Sequence, residues 1–175
     1  RDDAVGEAYD KVARILGLEY PGGPAISAKA EYVRSSHGIQ EAERMCVVQG
    51  IKLPRPMFNS QDTSFSFSGL KTAVLYMVRD LQKASETNSL TSDQVNLICF
   101  EFEQAVTEVL LKKVSHAAKH IGAMHSLIVG GGVIANTYIR NNIQTWCDTN
   151  NIQFLKPTHE FATDNAVMIA AAALL

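Results

Sequence analysis

Apolar residues recur along this chain at two spacings, and the spacings divide it into elements. Val5, Ala8, Tyr9, Val12, Ile15 and Leu16 step by three and four. This predicts an amphipathic helix over Asp3–Leu16, stopped by Gly17. Asp3, Glu7 and Asp10 share its polar side, where Glu7–Lys11 and Asp10–Arg14 are i,i+4 pairs in the favourable order. Tyr20-Pro21-Gly22-Gly23-Pro24 reads as a turn, and Ala25–Arg34 as a helix. Ser35–Gln49 carries no decisive period. Leu53-Pro54-Arg55-Pro56-Met57 is expected to be extended, because each proline disfavours helix at the residue before it. Strict alternation in Ser64-Phe65-Ser66-Phe67-Ser68 predicts a half-buried strand. Val74, Leu75, Val78 and Leu81 then mark the buried stripe of a helix over Leu70–Gln82, with Lys71 read as a surface lysine at its start.

Thr91-Ser92-Asp93-Gln94 is a capping box, and a long helix is predicted from it to about His120. Its apolar positions extend well beyond one stripe, so it should be central to a core. Leu127-Ile128-Val129 reads as a buried strand, Ala135–Cys147 as a helix and Ile152–Leu155 as a second strand. Strand, helix and strand of this length predict a right-handed βαβ unit with parallel strands. The fold class is therefore α/β. A last helix follows Phe161-Ala162-Thr163-Asp164-Asn165.

Composition narrows the function. The chain has 175 residues, is 46% hydrophobic and carries a net charge of −2, so it shows no overall basic footprint for nucleic acid. Cys46, Cys99 and Cys147 are an odd number and widely spaced, which reads as reduced thiols in a cytoplasmic protein. No apolar run is long enough to cross a membrane, and no secretory leader is read at the start. The ends resemble cut ends, and the chain is expected to be one part of a larger protein.

The candidate chemistry centres on Gly130-Gly131-Gly132, between the first βαβ strand and its helix. Glycines let the backbone approach a ligand closely, and a helix start offers free N–H groups to a phosphate. This is neither the P-loop, since no lysine follows, nor the full dinucleotide fingerprint. A bare strand-to-helix turn also carries glycine for packing alone. Asn136 suits a helix N-cap, or else a ligand hydroxyl or phosphate. The Asp3, Glu7 and Asp10 row suits a solvated face or a hydroxyl-rich ligand such as ribose. Asp164 suits an N-cap, or a ligand position at the carboxyl end of a parallel strand. His116 and His120 are four apart, but no third metal ligand lies near them in sequence.

Five stretches in order carry a resemblance. They are Asp2–Lys11, Tyr20–Pro24, Phe65–Lys71, Gly130–Asn136 and Thr163–Asn165. Together they resemble the bacterial tRNA N6-adenosine threonylcarbamoyltransferase family, formerly called O-sialoglycoprotein endopeptidase or glycoprotease. The resemblance runs nearly end to end. It implies an actin-like ATPase fold of the Hsp70, sugar-kinase and actin type, with residues 1–175 as the second lobe and the first lobe outside this chain. It implies transfer of threonylcarbamoyl from threonylcarbamoyl-AMP to N6 of adenosine 37 in tRNAs reading codons that begin with A. Residue by residue, Asp10, Gly23 and Asn136 match adenylate-contacting positions, with Glu7, Gly131 and Gly132 beside them, and Asp164 matches the metal-binding aspartate. Asp164 and Asn136 are the catalytic candidates. The implied cofactor is one Fe2+ or Zn2+, whose His-x-x-x-His ligands would come from the first lobe. The implied partners are tRNA, an inactive paralogue and a small P-loop ATPase. Two rival readings remain: an ATPase or small-molecule kinase of the same fold, and a non-catalytic scaffold paralogue. Ser35–Ile51 is longer than the family's usual connection and is given no role.

Overall fold

The structure is a computed structural model that describes residues 2–158, 162 and 166–173, apart from the side chain of residue 168. It comprises two compact units, residues 1–116 and residues 117–175.

The first unit is helical. α1 (Val5–Ile15), α2 (Gly22–His37), α3 (Ile39–Val48), α4 (Phe67–Ala84) and most of α5 (Ser92–Ile121) form it. α1 packs on both α2 and α4, and α2 packs on α3. α1 ends as its sequence predicts: Gly17 has φ 70°, its N–H donates to Arg14 O, and the Leu18 N–H donates to Ala13 O. These bonds satisfy two carbonyls of the last turn in a Schellman arrangement. The capping box of α5 is formed, with Thr91 N–H donating to Gln94 Oε1 at 2.9 Å and Gln94 N–H to Thr91 Oγ1 at 3.2 Å. Every residue from Leu97 to Glu103 is buried, so protein surrounds α5 on all sides there.

That central position puts charges in the core. Glu103 is fully buried; it pairs with Arg34 and accepts a bond from Ser27 Oγ at 2.8 Å. Glu101 takes Arg55 Nη1 at 2.5 Å and the Leu53 N–H at 3.0 Å. Lys113, 2% exposed, donates to Ser60 Oγ at 2.6 Å and Asp62 O at 2.8 Å, holding the loop before α4. A buried charge is tolerated when it is paired and hydrogen-bonded in this way.

Several expectations are corrected. Ser64–Ser68 is not a strand; α4 begins at Phe67. The Asp2 carboxylate, remote in sequence, accepts the Phe67 N–H at 2.7 Å and the Ser68 N–H at 2.9 Å. These are first-turn donors with no acceptor inside the helix, so a distant cap overrides the local alternation. Lys71 is no free surface lysine, since its Nζ lies 2.9 Å from Asp3 Oδ2. The region 35–48, which carries no decisive period, is helical, broken only at Gly38 with φ 75°. Leu53–Arg55 lies outside any helix or strand, and the chain turns from Pro56 onward.

The second unit holds β1 (Ser126–Ile128), α6 (Thr137–Thr149), β2 (Gln153–Leu155) and α7 (Ala166–Ala172). β1 and β2 pair in parallel, Ser126 opposite Gln153 and Ile128 opposite Leu155, as the βαβ pattern predicts. α6 packs on β2 and buries Ile139, Ile143 and Cys147. The observed class is α/β, with helices and a small parallel sheet.

Candidate functional site

The candidate residues fall into two groups, one in each unit. In the first, Asp10 lies half-buried in the middle of α1. No ion pair joins it to Arg14 among the described residues, contrary to the i,i+4 expectation. Its Oδ1 instead accepts the Gly22 N–H at 2.8 Å. Gly22 is the first residue of α2, so helix begins inside the stretch that reads as a turn, and the Asp10 carboxylate caps it. Little donor capacity then remains in that first turn. Gly22 is bound, Pro24 has no N–H, and the Gly23 N–H has no acceptor within the helix. A Cβ built on Gly23 would meet nothing within 4 Å. A carboxylate and an adjacent open amide at a positive helix end form an acceptor–donor pair suited to a ligand hydroxyl. Glu7 sits on the same helix, exposed, paired with Lys11 at 2.8 Å. Asp3 joins Lys11 and Lys71, whose hydrogen bonds hold its carboxyl below the usual range.

The second group surrounds the glycine turn. Gly131 has φ 93° and ψ 163°, a region essentially confined to glycine. Gly130 and Gly132 have ordinary backbone angles, and a Cβ on either would meet nothing within 4 Å. All three are exposed. The turn does not open α6 directly: a short 3-10 turn, Gly132–Ala135, intervenes. Asn136 joins that turn to α6 as its N-cap, with the Ile139 N–H donating to Asn136 Oδ1 at 3.0 Å. The capping expectation for Asn136 is therefore met.

Asp164 lies outside the described residues. Among the described residues no group of three or more His, Cys, Asp or Glu side chains could hold a metal ion. The donor set that is present therefore does not fit an Fe2+ or Zn2+ site by itself. No thiolate nucleophile is on offer either: burial pushes the Cys46 and Cys99 thiols up to about 12, and it raises Cys147 as well. No helix among the described residues is long and apolar enough to cross a membrane.

Sequence reasoning missed Gly22 as a close-contact residue and Asp2 as a remote cap. The Tyr-Pro-Gly-Gly-Pro stretch signalled Gly22 as a turn residue, or as one that lets a ligand approach closely, and not as a contact with α1.

These features define an α/β protein with a carboxylate-capped helix start in one unit and a glycine turn leading to an asparagine-capped helix in the other. The model of the family described as tRNA N6-adenosine threonylcarbamoyltransferase matches residues 1–171, and the chain belongs to that family. A relative of that name from Thermosipho africanus (strain TCF52B) is 46% identical over 171 residues, covering 98% of this chain and 46% of the relative. Another, from Methylobacillus flagellatus, is 44% identical over 171 residues, covering 98% of this chain and 45% of the relative. A third, from Agrobacterium fabrum (strain C58 / ATCC 33970), is 39% identical over 183 residues, covering 99% and 44%. The chain thus spans less than half the length of these curated relatives.

Proposed function

We propose that this chain is the second lobe of an actin-like ATPase-fold protein that moves a threonylcarbamoyl group from threonylcarbamoyl-AMP to N6 of adenosine 37 in tRNAs reading codons that begin with A. The observation that carries the reading is the Asp10–Gly22 bond, which brings the Asp10 carboxylate to the start of α2, one residue before Gly23, in a chain of this family. That pair suits a ribose hydroxyl, which donates to Asp10 Oδ2 and accepts from the Gly23 N–H. In the other unit, Gly131 and Gly132 present main chain without side chains, as suits a phosphate, with Asn136 beside them at the start of α6; Glu7 lies on the same helix as Asp10.

In the reaction, the N6 amine attacks the carbamoyl carbonyl carbon. A C–N bond forms, the bond from that carbon to the AMP phosphate oxygen breaks, and the amine releases a proton. No side chain of this chain acts as covalent nucleophile, so its residues act by binding and orienting the adenylate. Asp164 supplies one carboxylate toward an Fe2+ or Zn2+, with the remaining ligands from the first lobe. Bound there, the metal would supply Lewis-acid polarisation. The protein works in the cytoplasm on tRNA, with an inactive paralogue and a small P-loop ATPase as partners. The test is transfer by the full-length protein with purified adenylate and tRNA. Asp164→Ala should abolish both metal content and transfer, and Asp10→Ala should raise the KM for the adenylate at least ten-fold. Wild-type transfer in both variants would refute the reading.

A further inference from the structure

We propose that Gly22, rather than any polar group, is the residue that sets the geometry of the Asp10–Gly23 pair. The inference rests on the reading that Asp10 and Gly23 meet the adenylate. The start of α2 can lie against α1 only because Gly22 has no side chain. A Cβ there would come within 2.7 Å of Ala13 Cβ, 2.7 Å of Asp10 Cα and 2.8 Å of Tyr9 O. Two of those atoms are main chain of a packed helix, where Ala8, Tyr9, Val12 and Ala13 are all buried, so no flexible side chain can yield.

The requirement is spatial and not conformational. Neither Gly22 nor Gly23 is among the glycines with positive φ. The two neighbours also differ: Gly22 is buried and crowded, whereas Gly23 is half-buried and faces open space. Ordinary carbon contacts lie at about 3.5–4.0 Å, so a methyl at Gly22 must push α2 away by roughly 1 Å. The Asp10 Oδ1 to Gly22 N distance is now 2.8 Å, and such a retreat takes it past the hydrogen-bonding range. Asp10 then loses the bond that holds its carboxylate, and the Gly23 amide moves off with α2. A single buried contact thus couples the acceptor and the donor.

The test uses the full-length protein, threonylcarbamoyl-adenylate and tRNA. Gly22→Ala should raise the KM for the adenylate ten-fold or more, leaving kcat at saturating adenylate within three-fold and the KM for tRNA unchanged. A residue with only a structural role would lower the active fraction, and therefore kcat, without moving the adenylate KM. Should Gly22→Ala fail to fold, Ala13→Ser adds one heavy atom to the same contact from the α1 side and should give the same split in milder form. A folded variant of either kind with a wild-type adenylate KM overturns the inference. Asp10→Ala and Gly23→Val separate the two layers. If they raise the adenylate KM while Gly22→Ala and Ala13→Ser do not, only the role of Gly22 fails. If they leave it unchanged, the reading of the pair as an adenylate contact fails, and the role of Gly22 with it.

Discussion

Arg55 offers the sharpest test of how the first unit is held together. Its guanidinium donates through Nη1 to Glu101 Oε1 at 2.5 Å and to Leu53 O at 2.8 Å, and through Nε and Nη2 to the two Glu108 oxygens at 2.8 and 3.1 Å. Burial disfavours the charged guanidinium, but the bonds to Glu108 and Glu101 outweigh it and hold Arg55 charged at any working pH. The Glu101 side chain is 9% exposed and that of Glu108 is 41% exposed, so the two carboxylates respond differently to loss of Arg55. Glu108 regains water, and its share is worth at most about 1 kcal/mol. Glu101 stays buried with only the Leu53 N–H, and removing one partner of a buried pair costs about 3–5 kcal/mol. Arg55 is itself 18% exposed, which points to the low end. Arg55→Ala should therefore cost about 3 kcal/mol, a fall in Tm of roughly 6–12 °C for a chain of this size. Urea unfolding followed by far-UV circular dichroism reads the loss. Replacing both Arg55 and Glu101 by Met should cost less than the two single changes summed, because no charge is then stranded. A loss below 1 kcal/mol for Arg55→Ala, or strict additivity in the double variant, would refute the reasoning.

Other outcomes follow from single contacts. The Tyr9 hydroxyl is buried with no hydrogen-bond partner among the described residues, so Tyr9→Phe should leave stability unchanged within about 0.5 kcal/mol or raise it; a loss above 1 kcal/mol in urea unfolding would reveal a partner. Gly131→Ala should cost about 1–3 kcal/mol through its backbone angles, whereas Gly130→Ala and Gly132→Ala should fold normally, as thermal unfolding can check; Gly132→Ala should still weaken adenylate binding by calorimetry. Hydrogen bonds from Lys11 and Lys71 lower the Asp3 carboxyl in the folded state. Its stabilisation is therefore full above the unfolded value of about 3.9 and is lost as pH falls through the lower folded value. Unfolding midpoints measured from pH 6 down to pH 2 should consequently converge for wild type and Asp3→Asn at the acid end, and equal separation throughout would contradict this.

What the sequence made legible was local. The period of α1, the Gly17 stop and the Thr91–Gln94 box depend on residues within a few positions of one another, and the parallel pair follows from the order and length of its elements. What it hid was set from far away. The Phe65–Phe67 alternation suits a strand until Asp2 arrives to cap Phe67 and Ser68. Glu101 and Glu103 look out of place in an apolar helix because their partners, Arg55 and Arg34, come from other segments. The candidate site divides the same way. Asn136 as an N-cap was readable from its position, because the capping bond reaches only to Ile139. The bond from Gly22 to Asp10 spans a turn and a helix–helix contact, and no periodicity announces it. For the same reason Gly22 and Gly23, identical as letters, separate only once α2 lies on α1.

A crystal structure of the full-length protein with threonylcarbamoyl-adenylate bound tests the central claim most directly. The account predicts an adenylate whose ribose hydroxyl lies within hydrogen-bonding distance of both Asp10 Oδ2 and the Gly23 N–H. An adenylate bound with Asp10 and Gly23 beyond contact would contradict it.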